Sequence, residues 1–261
     1  MNNSDKQNSP LFRGGWGGLF TRTEMLLGEA AMHRLAQSHV AVFGVGGVGG
    51  YAVEVLARSG VGAIDLYDND TVAPSNINRQ IIATTDVIGR PKVDVAAERI
   101  RAINPDCHVA AHQMFYLPAN ADEVDLTQYD YVIDCIDTVS AKMELIRRCV
   151  RQGVPLISSM GAAYKLDATA WRVGDIKQTL NDPLARILRK RLRREGINHF
   201  KCVYSTELPR LVEPAEPERP GDKRPPASNA WVPAAAGLIL GGEVIKDLTL
   251  MHNAQCTMHN E

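Results

Sequence analysis

The run VAVFGVGGVGG at residues 40–50 constrains this chain more than any other stretch. An apolar segment (Val40, Ala41, Val42, Phe43) meets Gly44, Gly46, Gly47 and Gly49, and a helix-like segment, YAVEVLARSG, follows. A buried strand, a glycine turn and a helix N-terminus together build a phosphate cradle. Glycine lets backbone N–H groups approach a phosphate closely, and the helix dipole favours negative charge there. Asp68 closes the next strand-like run, Ala63-Ile64-Asp65-Leu66-Tyr67. It follows Gly49 by the roughly 20 residues at which a carboxylate can grip a ribose.

Alternating β and α signals surround this unit. The pattern predicts a helix over Thr21–Leu35, then strand 40–43, helix 48–58 and strand 63–67, with an irregular polar stretch over 69–91. A helix follows from Lys92 to Ile103, striped by Val93, Ala97, Ile100 and Ile103 and stopped at Asn104-Pro105. Strands are expected at Val109–Met114, Tyr131–Ile133 and Val154–Ser158, with a helix over Ser140–Gln152. This alternation implies an α/β fold with a doubly wound, mostly parallel sheet. An additional C-terminal α+β portion completes it: a strand at Thr169–Val173 and helices at Leu184–Glu195 and Ala234–Leu248. The organisation read from this is a flexible N-terminus over 1–19, a nucleotide-binding core over 20–160, and a substrate-binding portion over 161–261 that completes the same domain. Within the last, residues 209–228 carry six prolines among charged residues and read as a mobile loop.

Composition excludes several classes. The chain has 261 residues and a formal net charge of −1, so any nucleic-acid surface must be local. Its five cysteines are odd in number and hold no C-x-x-C pair, which argues against a zinc ribbon or a disulfide scaffold and suits a reducing compartment. The polar N-terminus lacks a signal-peptide core. The nearest approach to a membrane span, Val232–Leu250, is broken by Glu243, Lys246 and Asp247. A cytoplasmic protein with no membrane partner is expected.

Four features exceed a plain dinucleotide fold. They are Ser75-Asn76-Ile77-Asn78-Arg79-Gln80, Lys92, Asp137 and Arg22. Ligands of an open α/β sheet sit beyond the carboxyl ends of its strands, where Asp68 and Asp137 both lie. Hydride transfer needs no such cluster of cations. Attack on phosphorus does, because the leaving pyrophosphate and the transition state concentrate negative charge. Mg²⁺ held through one carboxylate, with several waters kept, fits Asp137. Each residue has an ordinary alternative: Lys92 a solvated lysine, Asp137 the N-cap of the following helix, Arg79 a loop salt bridge. A nicotinamide-dependent oxidoreductase or a nucleotide sensor would leave Arg79, Lys92 and Asp137 without a joint role.

Gly44–Gly49, Asp68-Asn69-Asp70, Ser75–Gln80, Lys92 and the Asp-x-x-Asp at 134–137 resemble the adenylation domain of the ubiquitin-activating enzyme superfamily, over about residues 20–160. The resemblance implies that the chain uses ATP and Mg²⁺. It implies that Gly44, Gly46, Gly47, Gly49, Asp70, Asn76 and Gln80 shape the nucleotide pocket and that Asp68 binds the ribose. Arg79 and Lys92 would contact the phosphates, and Asp137 would hold the metal. Arg22 resembles an arginine supplied in trans, which implies a homodimer. Trp171–Ile176, Asn181–Leu184 and Cys202–Glu207 further resemble the tRNA threonylcarbamoyladenosine dehydratases. That subfamily cyclises its nucleoside by adenylating the threonyl carboxylate. The resemblance also brings in a monovalent cation (K⁺ or Na⁺) and a cysteine desulfurase sulfur-transfer partner. The alternative is an adenylyltransferase for a ubiquitin-like sulfur-carrier protein, against which the lack of zinc cysteines counts.

The segment LARILRKRLRRE holds Arg186, Arg189, Lys190, Arg193 and Arg194 in an otherwise near-neutral chain. It reads either as a phosphate-backbone footprint for tRNA or as a solvated helix face, with Ile187, Leu188 and Leu192 as the buried side. Cys202 is the cysteine to examine as a nucleophile, although no neighbour in sequence would lower its pKa. Cys107, Cys135 and Cys149 read as core.

Overall fold

The computed structural model describes residues 18–213 and 226–257, with side chains described through residue 249. The expectations for the N-terminus, and for most of the proline-rich segment 209–228, fall outside the described residues.

Helices α1 (Thr21–Leu27) and α2 (Glu29–Gln37) lead into strand β1 (His39–Phe43), helix α3 (Gly49–Arg58) and strand β2 (Ala63–Tyr67). Helix α4 (Lys92–Ile103), β3 (His108–His112), β4 (Tyr131–Asp134), α5 (Val139–Gln152) and β5 (Leu156–Ser159) follow. The chain continues through β6 (Trp171–Asp175), α6 (Pro183–Leu192), β7 (Lys201–Ser205) and α7 (Trp231–Thr257). One seven-stranded sheet runs β3-β2-β1-β4-β5-β7-β6, and all its pairings are parallel except β6 with β7. The doubly wound α/β expectation holds, and the C-terminal strands extend the same sheet.

Strand alternation divides the core between the two faces of the sheet. Val40, Val42, Ile64 and Leu66 pack with α2, α3, α4 and α7. Ala41, Phe43, Tyr67 and Val132 pack with α5 and α6. Two small residues let α7 lie close on α3. A Cβ at Gly237 would come within 2.2 Å of the Val48 carbonyl oxygen, and one at Gly241 within 2.6 Å of Val55 Cβ. The chain leaves β1 toward β2 and β3 and then returns to β4 on the other side of β1. A crevice opens at such a reversal, beyond the carboxyl ends of β1 and β4.

Several boundaries differ from expectation. Thr21–Leu35 is two helices, broken at Gly28, whose φ of 84° leaves the helical region. Lys201–Ser205 is a strand, which its mixed KCVYS pattern concealed. Ile187 is 39% exposed, so α6 buries Ala185, Leu188 and Leu192 instead. No helix among the described residues is long and apolar enough to cross a membrane.

Candidate active site

A cavity of about 610 Å³ occupies the crevice. The glycine turn forms its floor. Gly44 has φ 90°, and a Cβ there would lie 2.7 Å from the Cys135 carbonyl oxygen, so no side chain fits between β1 and the β4 loop. Gly49 is not a lining residue. A Cβ on it would strike the Gly44 carbonyl at 1.8 Å, and its role is to let α3 start tight against the turn. Helix α3 opens without a side-chain cap, which leaves its N-terminal amides and dipole for an anion.

Asp68 closes one side. Its Oδ2 accepts a hydrogen bond from the Val45 amide (2.7 Å) and its Oδ1 one from the Asp70 amide (2.9 Å), tying the end of β2 to the glycine turn. Burial pushes the Asp68 carboxyl above its ordinary value, while the charge of Lys92 opposes the shift. Lys92 is only 5% exposed, which rules out a freely solvated lysine. Its backbone N–H donates to the Asp70 carbonyl (3.0 Å) and its Nζ reaches Asp70 Oδ2 at 2.7 Å. Sequence alone gave no sign of this pair. It aims Lys92 by holding the side chain at both ends.

The 75–80 segment folds over the same cavity, as its place after β2 suggested. Arg79 lays its stem over the glycine turn, so that a Cβ at Gly47 would meet Arg79 Cγ at 3.2 Å. Its guanidinium donates to the Ser75 carbonyl and to Asn78 Oδ1, both at 2.9 Å. Asn76 is buried and uses Oδ1 to hold the Ala73 amide. Gln80 is 6% exposed, and its Oε1 is a buried acceptor with no donor among the described residues. Such an atom lining a cavity fits a bound ligand that donates to it.

On the other side, Asp137 follows β4 by three residues and is exposed to the cavity. It does not cap α5; Thr138 holds that position, without a side-chain cap bond. Beneath it lies a triad that sequence did not reveal. Lys142 and Asp134 are both fully buried, with Nζ 2.7 Å from Oδ2, and Ser158 Oγ donates to the same oxygen at 2.7 Å. Asp134 Oδ1 accepts from the Ile136 amide (3.1 Å), which sets the turn that presents Asp137.

The structure thus brings Gly44, Gly46, Gly47, Asp68, Asp70, Asn76, Arg79, Gln80, Lys92 and Asp137 to one cavity. Arg22 stays outside it, exposed on α1. Cys135, expected in the core, is half-buried and lines the cavity. Cys202 is fully buried in β7, and burial pushes its thiol up to about 12. A thiol so protonated is no nucleophile at neutral pH.

A second cavity, of about 1110 Å³, is walled by Arg186, Arg189, Lys190, Arg193 and Arg194 over Ile176, Leu192 and Phe200. Lys177 joins this wall, a residue sequence did not single out. Arg189 is half-buried and donates to the Thr179 carbonyl and hydroxyl, so it also fastens α6 to the body. Helix α6 bridges the two cavities: Leu184 lines the first and Arg186 the second.

Relatives of known name share this architecture. The chain is 44% identical over 238 residues to the tRNA threonylcarbamoyladenosine dehydratase of Bacillus subtilis, spanning 88% of this chain and 94% of that protein. The crystal structure of the Escherichia coli tRNA N6-threonylcarbamoyladenosine dehydratase in complex with ATP superposes with a TM-score of 0.82 at 38% identity, covering 93% of this chain and 98% of that one. The sulfur carrier protein ThiS adenylyltransferase of Escherichia coli is 35% identical over 144 residues, covering 54% of this chain and 57% of that protein. The model of the ThiF family matches residues 20–256, and the chain belongs to that family.

Proposed function

We propose that this protein uses ATP to dehydrate threonylcarbamoyladenosine in tRNA, closing it to the cyclic form by adenylating its threonyl carboxylate. The convergence of Asp68, Arg79, Lys92 and Asp137 on one cavity, joined by α6 to a basic groove, carries this reading. The likeness in sequence and in ATP-bound structure to the named dehydratases supports it.

The orphaned Gln80 Oε1 and the glycine cradle fit a nucleotide. In this reading Asp68 takes the ribose hydroxyls, and the amides of the glycine turn take the phosphates. Arg79 and Lys92 neutralise the charge that builds as the carboxylate attacks the α-phosphorus and pyrophosphate leaves. The carbamoyl group of the same substrate then closes on the acyl carbon and loses a proton. AMP departs carrying one carboxylate oxygen, so the nucleoside loses one water. Among the described residues no group of three or more His, Cys, Asp or Glu is placed to hold a metal. A single exposed carboxylate suits Mg²⁺, which keeps its waters and binds through substrate phosphates, and Asp137 is the residue that would hold it. The ion would supply positive charge at the phosphates.

The basic groove serves as the tRNA backbone site in this proposal. The axial distance along α6 from Leu184 to Leu192 is about 12 Å at 1.5 Å per helical residue, so phosphates on the groove and a nucleoside in the cavity can be held together. Arg22 would act on a neighbouring copy. Helix α1 exposes Met25 (83%) and Leu26 (82%), an apolar face that a second subunit would cover.

The test is AMP and pyrophosphate release from ATP-Mg²⁺, with and without tRNA bearing threonylcarbamoyladenosine. tRNA-dependent release, with loss of one water from the nucleoside by mass spectrometry, is the expected result. Release that ignores tRNA and requires a carrier protein ending in Gly-Gly would overturn it in favour of carrier activation.

A further inference from the structure

A second buried ion pair lies outside the roles assigned so far. Lys165 and Asp182 have side chains 1% and 0% exposed, with Nζ 3.4 Å from Oδ2. Both converge on one residue. The Gly161 amide donates to Asp182 Oδ2 at 3.0 Å, and the Gly161 carbonyl accepts from Lys165 Nζ at 2.5 Å. Gly161 lines the nucleotide cavity together with Ala162, Ala163 and Leu184. Asp182 has a further attachment: its Oδ1 accepts from the Ala185 amide (2.9 Å) and caps α6, the basic helix. Lys165 is anchored from behind, since its carbonyl accepts from Asn229 Nδ2 at 2.7 Å.

Position along the sheet assigns a task to this wall. Asp68 follows β2, the glycine turn follows β1, Asp137 follows β4, and Gly161 follows β5. With strands about 4.8 Å apart, the β5 wall stands about 14 Å from the ribose side. It faces the end of the cavity where an acceptor carboxylate must meet the α-phosphate. Capping α6 does not account for the pair, because Ser, Thr or Asn at 182 would cap without a buried lysine. Stability does not account for it either, since replacing a buried ion pair with apolar groups is often neutral or favourable.

We propose that Lys165 and Asp182 are positioning residues that clamp Gly161 from both of its backbone polar groups, fixing the acceptor wall of the cavity to the first turn of the basic helix. The inference rests on the function proposed above for its acceptor assignment. RNA phosphates drawn onto α6 and the acceptor carboxylate in the cavity are then held in register through one carboxylate, Asp182.

The test uses Lys165→Met and the double variant Lys165→Met/Asp182→Ser, in which serine keeps the cap on α6. Turnover, KM for ATP, tRNA affinity and native-state amide exchange are measured on the whole protein. The expected result is a fall in kcat of about tenfold or more, a displacement near 1 Å being worth up to about 100-fold. KM for ATP and tRNA affinity stay at parental values. In the double variant the Gly161 amide exchanges faster while the amides of β1 and β4 do not. Parental kcat in both variants overturns the clamp. So does a joint loss of kcat, KM and β1 protection, the mark of a general structural defect. A parent without tRNA-dependent turnover sinks the functional reading, while Gly161 exchange still decides the clamp.

Discussion

Lys142→Met removes one partner of the triad beneath Asp137 and nearly conserves side-chain bulk. Lys142 and Asp134 are both wholly inaccessible and 2.7 Å apart, so no solvent replaces the lost partner. Asp134 keeps the Ser158 hydroxyl and the Ile136 amide as donors but loses its counter-charge. Removing one partner of a buried ion pair costs about 3–5 kcal/mol. At roughly 2–4 °C per kcal/mol for a chain of this size, the melting temperature should fall by about 6–20 °C. The double variant Lys142→Met/Asp134→Asn removes both charges and should recover most of that loss. Chemical unfolding at pH 7, read by tryptophan fluorescence and circular dichroism, measures both. A single variant within about 1 kcal/mol of the parent, near what an ordinary hydrogen bond contributes, would refute the reasoning. So would a double variant no more stable than the single one. Nucleotide affinity separates the second consequence. If Asp134 presents Asp137 through the Ile136 amide, Asp134→Ala, which removes that acceptor, should bind ATP-Mg²⁺ more weakly below its melting transition.

Three further outcomes follow from the same geometry. Lys92→Ala and Asp137→Ala should each lower turnover by about 100-fold or more with the melting transition retained, and near-parental activity in both would defeat the proposed mechanism. Mixed dimers of Arg22→Ala and Asp137→Ala subunits should regain part of the activity that each variant lacks alone; a verified heterodimer without recovery would show that Arg22 does not act in trans. Burial alone would raise the Glu54 carboxyl, but hydrogen bonds and charge from Arg99 and Arg58 outweigh it and hold the group below its ordinary 4.5. Its folded value is depressed, so its stabilisation is present above about pH 4.5 and is lost as pH falls through the lowered value. Urea unfolding against pH should show a shallower acid limb for Glu54→Gln.

What sequence disclosed is local, and what it hid is pairing across the fold. The glycine turn, Asp68 and Lys92 are legible because each sits at a strand or helix end, where composition alone marks the position. Their convergence is legible because an open parallel sheet puts every strand's carboxyl end on one edge. Lys142 falls inside the expected Ser140–Gln152 helix with nothing to single it out, since its reason for burial is Asp134 on a neighbouring strand. Lys165 and Asp182 lie 17 residues apart, and no periodicity links them. Asp70 reads as pocket-forming from the motif, but its bond to Lys92 depends on how the loop returns at Thr71 and Pro91. Ile187 misled because an apolar residue in a charged helix reads as buried, whereas α6 takes its inner side from Ala185, Leu188 and Leu192. Cys135 misled in the other direction. Its apolar neighbours belong to β4, which ends one residue earlier and turns the cysteine to the cavity.

The cysteines decide which route an acyl-adenylate can take in this protein. Ubiquitin-activating enzymes pass such an intermediate to a cysteine. Here Cys202 is fully buried on β7, and burial pushes its thiol up to about 12. Cys135 reaches the cavity, yet burial pushes its thiol to about 12 as well. Neither supplies a thiolate at neutral pH, so a thioester stage has no cysteine nucleophile at the site among the described residues. Intramolecular closure needs none. A carbamoyl group on the same molecule as the activated carboxylate carries an effective concentration of about 10⁵ M or more when well oriented. The protein then has only to hold both ends of one substrate and keep water from the acyl carbon. Cys202→Ala should therefore retain turnover within about threefold, its cost confined to the ordinary loss for a small buried truncation of about 1 kcal/mol. Cys135→Ala should retain turnover equally. A variant of either cysteine that still folds and binds ATP, forms the adenylate and cannot release AMP would show that a covalent stage exists after all.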